Sequence, residues 1–223
     1  MDDLDFPGDL LYVGMAERVE VFDSTGNRKQ GFDAGEPGLK PIITAIRIVE
    51  KEILVADAAA RCIRRYGLDG KRLGEIGKQG KTRGFMLPNR YLDFDVSSKG
   101  VVAATDPGRH RVSSWSKEGA PLGHFGKFGL TNPEDFVGCC NPVNLAFMRD
   151  GWIVTAEKVA ARVKVFDSEG KLLGLIGPEH FNLKFTHLHL AVDSKGRILV
   201  GDPILLEIKV FSAVGKSGGG EGV

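Results

Sequence analysis

At 223 residues the chain is long enough for one or two domains with a real core, and its 42% apolar and 26% charged content is that of an ordinary globular protein. Thirty basic side chains against 29 acidic ones remove the net-basic face that nucleic-acid binding requires. There is no run of about 18 apolar residues to span a membrane. Cys62, Cys139 and Cys140 are too few, and odd in number, for a disulfide framework.

The chain opens with "MDDLDFPGDLLYVG", acidic and without the basic region and apolar stretch of a secretory signal. Residues 1–8 read as a lead-in, and the protein is expected to stay where it is made, in the cytoplasm as the sequence stands. From residue 9 an internal period governs the pattern. "LLYVGMAERVEVFDSTGN", "ILVADAAARCIRRYGLDGKRLGEIG", "VVAATDPGRHRVSSWSKEGAPLGHFG", "WIVTAEKVAARVKVFDSEGKLLGLIG" and "ILVGDPILLEIKVFSAVGK" share one grammar. Each has an apolar run, a turn, an alternating run and a glycine turn, and the middle three add a short final strand. The turn glycines Gly26, Gly70, Gly119, Gly170 and Gly215 fall 44, 49, 51 and 45 residues apart.

Alternating runs such as "RVKVFD" predict strands, and "DSTG", "GLDG" and "DSEG" predict hairpin turns. A further strand precedes each unit in "NRYLDFDVSSKG", "NPVNLAFMRDG" and "HLHLAVDSKG". "VADAAARCIRRYG" comes nearest to a helix, but its alignment with the other units makes it strand-turn-strand. The chain is therefore all-β. Four-stranded units at this period predict a β-propeller, because stacking blades in a ring buries both faces of each sheet. About five blades are visible over residues 9–215, and the Gly-rich 216–223 reads as a flexible tail.

The third and fourth units resemble the NHL repeat: Asp106, Gly108, Arg111, Val112, Trp115, Gly119, Phe125 and Gly126 in one, and Pro142, Ala146, Gly151, Glu157, Arg162, Val163, Phe166 and Gly170 in the other. The resemblance covers residues 9 to 212 and implies a propeller that usually closes with six blades. The blade-ending Trp-Asp pair of tryptophan-aspartate repeats is absent. The repeat's Arg is kept at Arg18, Arg111 and Arg162 but is Cys62 and Glu207 in the second and fifth units, which are expected to be weaker. The first unit starts at its second strand and the last stops after its third, so the chain is expected to be either a five-bladed ring with two short blades or, the reading preferred, part of a longer propeller.

In this geometry "GCCNP" lies in a connection at one mouth of the channel, beside the turns "DAAAR", "DPGRH", "EKVAA" and "DPILL". Cys139, Cys140, His187 and His189 form a candidate zinc, iron or copper site, the two histidines sharing one strand face, with Asn144 and Tyr91 nearby. Against that, adjacent cysteines diverge, the spacing matches no zinc signature, and buried cysteines pack as small hydrophobes. Asp57, Asp106, Glu157 and Asp202 recur once per blade. They read either as a cation-binding ring or as turn residues paired with the neighbouring Arg, and periodicity favours the second. No G-x-S-x-G, H-E-x-x-H or P-loop occurs.

Two functions follow. One is a non-catalytic, monomeric scaffold that binds a protein, peptide or small ligand at the mouth through Cys139, Cys140, Asn141, Asn144, Tyr91, His187, His189, Asp106, Arg111 and Glu157. The other is a metal-dependent lyase or hydrolase with the Cys/His site and Asp106 or Glu157 as acid or base. Phosphate contacts by "GRHR" and "KTRG" are conceivable, since some NHL-type propellers bind RNA, but the charge balance argues against nucleic acid.

Overall fold

The computed structural model describes residues 3–5, 9–78, 84–181 and 188–213, and their regular structure is strand apart from 3-10 turns at Pro107–Arg109 and Pro178–His180. Blade 1 comprises β1 (Asp3–Asp5), β2 (Leu10–Gly14), β3 (Arg18–Asp23) and β4 (Arg28–Asp33). Blade 2 holds β5 (Ile43–Val49), β6 (Glu52–Asp57), β7 (Cys62–Gly67) and β8 (Arg72–Ile76). Blade 3 holds β9 (Phe94–Val96), β10 (Val101–Asp106), β11 (Arg111–Ser116) and β12 (Pro121–Phe125). Blade 4 follows with β13 (Asn144–Phe147), β14 (Ile153–Glu157), β15 (Arg162–Phe166) and β16 (Leu172–Ile176). Blade 5 has three strands among the described residues: β17 (His189–Val192), β18 (Ile198–Asp202) and β19 (Glu207–Phe211).

Every blade is an antiparallel meander, and the first strands β1, β5, β9, β13 and β17 adjoin one another in that order around the channel. The all-β propeller expected from the repeat is the fold observed. One expectation is corrected. The acidic lead-in is not outside the first blade, because β1 pairs with β2 from Asp3 opposite Gly14 to Asp5 opposite Tyr12 and supplies the inner strand.

Blade packing follows from alternation. Val19 and Val21 of β3 meet Ile53 and Val55 of β6; Leu54, Ala56 and Ile63 of blade 2 meet Phe94, Val102 and Ala104 of blade 3. Ala103 and Val112 meet Leu145 and Ile153, and Val154 and Val163 meet Ile198 and Val200. Since both faces of each middle sheet are covered, β6, β10 and β14 are buried almost end to end.

A β-bulge recurs where the third strand meets the fourth, each time beside an aromatic residue: Phe22, Tyr66, Trp115 and Phe166. Such bulges raise the local twist, which lets a flat hairpin follow the splay of a blade. The hairpin glycines also serve the joints. A Cβ on Gly170, which has φ of +86°, would lie 2.3 Å from Phe125 of the preceding blade. Turn geometry and blade spacing thus make the same demand.

Polar clamps join the inner strands. The exposed edge of β13 would leave N–H groups unpaired near the axis, and two aspartates of blade 3 accept them. Asp93 Oδ2 takes the Leu145 amide at 2.9 Å, and Asp95 Oδ2 takes the Phe147 amide at 2.8 Å. On the other side, Arg47 Nε of blade 2 donates to Asp95 Oδ1 at 3.1 Å, and Thr44 Oγ1 donates to the Leu92 carbonyl at 2.6 Å. Asp93→Ala should strand the Leu145 N–H and cost about 1–3 kcal/mol of unfolding free energy in urea. Asp93→Asn, which keeps an acceptor oxygen, should lose clearly less.

Candidate functional site

The mouth face is built from the turns between second and third strands and from the connections between blades. At the end of each second strand in blades 2 to 5 stands a buried carboxylate: Asp57, Asp106, Glu157 and Asp202. A buried carboxylate is tolerable only when its charge is met and its lone pairs are filled. Asp57 Oδ1 accepts the amides of Ile42, Ala59 and Ala60, and Oδ2 accepts Arg64 Nε at 2.8 Å. Asp106 Oδ1 accepts the Met86 amide at 2.8 Å, while Oδ2 meets Arg109 at 2.8 Å and Arg111 at 3.2 Å. Glu157 takes Arg162 Nε at 2.6 Å on one oxygen and Lys164 Nζ at 2.8 Å on the other. Asp202 Oδ1 holds the amides of Ile204 and Leu205.

These partners fit the turn-and-Arg reading of the recurring acids. They also explain why the second unit need not be weak. Where Cys62 replaces the repeat's Arg, Arg64, two residues later on the same strand face, bonds Asp57 and also reaches Glu36 at 3.4 Å. In blade 5, with Glu207 at that place, Lys209 Nζ donates to the His180 carbonyl at 2.6 Å and pairs with Glu207 at 3.1 Å.

Cys139, Cys140 and Asn141 sit in the connection from β12 to β13 at this mouth. Asn141 is fully buried and acts as a clip. Its amide nitrogen donates to the carbonyls of Val137 and Lys158 at 2.6 and 3.1 Å, and its Oδ1 accepts the Lys158 amide at 2.9 Å. The cysteines are free thiols with sulfurs 3.3 Å apart, Cys139 exposed and Cys140 buried. Burial, then the contact with Cys139, pushes the Cys140 thiol up; burial pushes Cys62 up to about 12. Asn144 donates to Tyr91 Oη at 3.1 Å and to Asp93 at 3.2 Å, within the inner-strand clamp. His189 opens β17, opposite Gly201, and His187 lies outside the described residues, as does most of "KQGKTRG". Among the described residues no three His, Cys, Asp or Glu side chains converge as metal ligands. Of the four donors named from sequence, Cys139 and Cys140 touch each other, and His189 stands on β17.

Exposed apolar side chains are the mouth feature that sequence reasoning passed over. Phe128 (53% exposed) and Leu130 (74%) rise from the β12–β13 connection, Val159 (63%) from the blade 4 turn and Leu206 (88%) from the blade 5 turn. Met15, Met86, Ile204 and Leu205 extend the same rim. His110 helps shape it, its Nε2–H donating to the Gly138 carbonyl at 2.9 Å and its ring meeting Phe128 edge-on at 5.1 Å. The signal was there in "KFGLTNP", two large apolar residues in a polar connection with no strand alternation to bury them.

No protein-family model matches the chain, and no curated protein matches it. Solved structures do. A catalytically inactive virginiamycin B lyase from Staphylococcus aureus, determined with quinupristin, aligns over 95% of this chain and 69% of its own, with TM-score 0.66 and 11% identity. The WD40 propeller domain of Doa1 aligns over 95% of this chain and 63% of its own, at TM-score 0.65 and 16% identity. YCF48 bound to D1 peptide aligns over 89% and 59%, at TM-score 0.58 and 15% identity. The likeness is one of fold. The NHL resemblance therefore rests on the residue pattern alone.

Two measurements test the chemistry of these groups. Burial lowers the Lys164 ammonium below the ordinary lysine value, with Glu157 pulling the other way. The unfolded chain therefore holds the Lys164 proton to higher pH than the folded one, and this group's contribution to stability rises with pH between the two values. Glu157→Gln should be destabilised by about 3–5 kcal/mol at neutral pH by removal of one partner. The gap from the unaltered protein should narrow as pH climbs and Lys164 loses its proton. Separately, iodoacetamide at neutral pH should label Cys139 and spare Cys62 and Cys140 until the protein is unfolded, as read by peptide mass spectrometry.

Proposed function

We propose that the protein is a non-catalytic binding scaffold that takes a protein or peptide partner on its mouth face. The carrying observation is the apolar rim. Phe128, Leu130, Val159 and Leu206 stand exposed on one face, on turns anchored by buried ion pairs and hydrogen bonds. Large exposed apolar side chains gathered on one face of a rigid ring are what an interaction surface requires. Asp106 and Glu157, the acid or base candidates of the enzymatic reading, are already held by Arg109, Arg111, Arg162 and Lys164. Peptide binding by a protein of similar fold, YCF48 with D1 peptide, is consistent with this use of the architecture. The partner side should offer aromatic or aliphatic anchors to meet the rim.

Peptides selected from a displayed library against the intact chain give the test. Phe128→Asp combined with Leu130→Asp should weaken the selected peptides about tenfold or more. Leu73→Asp, on the exposed outer strand β8, should leave them unchanged. Peptides that bind the rim variant as well as the unaltered chain would end the proposal.

A further inference from the structure

Aligned on their first residue, the third strands of blades 2, 3 and 4 begin at Cys62, Arg111 and Arg162 and carry Arg64, Ser113 and Lys164 two positions on. Arg64 and Lys164 are wholly buried plugs that join the acid of their own blade to the connection arriving from the preceding one. Lys164 Nζ bonds Glu157 and, at 2.6 Å, the Asp135 carbonyl, and stands 4.7 Å from the centre of the Phe136 ring. That ring in turn packs on Phe166 at 5.8 Å.

Blade 3 keeps this socket and lacks its plug. Asp106 stands where Glu157 does, Phe85 where Phe136 does, and Trp115 where Phe166 does, with Phe85 and Trp115 edge to face at 5.1 Å. Arg109, coming from the turn, has taken over the plug's bonds, to Asp106 at 2.8 Å and to the Gly84 carbonyl at 3.1 Å. The side chain at 113 is only a hydroxymethyl, so a cleft of about 330 Å³ remains between Arg111, Ser113, Trp115, His124 and Phe85. Ser113 is 3% exposed, and its Oγ has no hydrogen-bond partner among the described residues. A buried polar atom left so costs stability unless something meets it.

The charges around the cleft select its occupant. Two guanidiniums share the one carboxylate of Asp106, and Arg111 engages it through Nε alone. The position across from the plug is Glu75 opposite Arg64, but His124 opposite Ser113. A cation would be repelled, and an anion would find the spare guanidinium nitrogens of Arg111, the Ser113 hydroxyl and the His124 imidazole. Phe85 and Trp115 give the remaining wall its aromatic part, beside Pro121 and glycine backbone, and the volume is at the small end of ligand sites. We propose that the cleft between blades 2 and 3 binds a small free aromatic carboxylate, its carboxylate on Arg111 and Ser113 and its ring against Phe85 and Trp115.

Trp115 makes the test optical. Of the two tryptophans, Trp152 lies in blade 4, so the intact chain carrying Trp152→Phe reports from the cleft alone. Titrated with benzoate, Trp115 emission should change saturably; benzyl alcohol should bind about tenfold more weakly, and benzylamine should not bind. Ser113→Lys, which restores the plug of blade 4, should abolish the response while circular dichroism stays unchanged. Arg111→Gln should weaken benzoate about tenfold, and it decides the matter if the lysine variant does not fold. Absence of a saturable benzoate response overturns the proposal. So does benzoate binding untouched by either variant, or benzylamine binding as tightly as benzoate.

Discussion

A carboxylate removed from water must find its counter-charge within the protein, and this chain faces that demand at the same place in four successive blades. The acid at the end of the second strand cannot be solvated, because the neighbouring blade covers it. Arg64, the Arg109–Arg111 pair and the Arg162–Lys164 pair are three answers to one constraint, and Asp202 meets part of it with turn amides. Their variety shows that the constraint is electrostatic and not tied to one residue. Any cation that reaches the acid from the third strand or its turn will do. Once the acid is held, the turn above it is fixed, and the mouth face acquires a definite shape.

Blade number and strand order were legible because both depend on local signals. Period-two alternation in "RVKVFD" and glycine at the hairpin ends are properties of a few adjacent residues. What escaped depends on which groups meet once strands have paired and side chains have taken a face. Asp3–Asp5, with two residues of low strand propensity, forms β1 against the edge of β2. Cys62 suggested a weakened repeat, since the replacement at Arg64 is visible only when both side chains are known to share a face. The surroundings of Cys140 and Asn141 were hidden for a related reason. Cys140 and Asn141 are occupied in closing their own loop, and that occupation is written in distances.

The rim and the cleft represent two ways in which a repeat architecture becomes specific. At the rim, apolar side chains are added where the joints do not need them, as with Phe128 and Leu130. In the cleft, a side chain is removed where the joints normally require one, as with Ser113. Both leave the buried aliphatic residues of the second strands, such as Val102 and Ala104, in place. Specialisation costs little where the backbone is over-determined on both sides.

The residue just before the third strand is left-handed in blades 2 to 5: Arg61, His110, Ala161 and Leu206, at φ of 61°, 54°, 46° and 53°. None of them is glycine, the residue that adopts this conformation without strain. The surrounding bonds, such as the Arg61 amide to the Asp57 carbonyl at 2.8 Å, therefore dictate the backbone there whatever side chain it carries. Form has been uncoupled from spelling at four matching places around the opening. Such a ring could be re-lettered, by evolution or at the bench, into a reader for a different molecule without refolding what lies beneath.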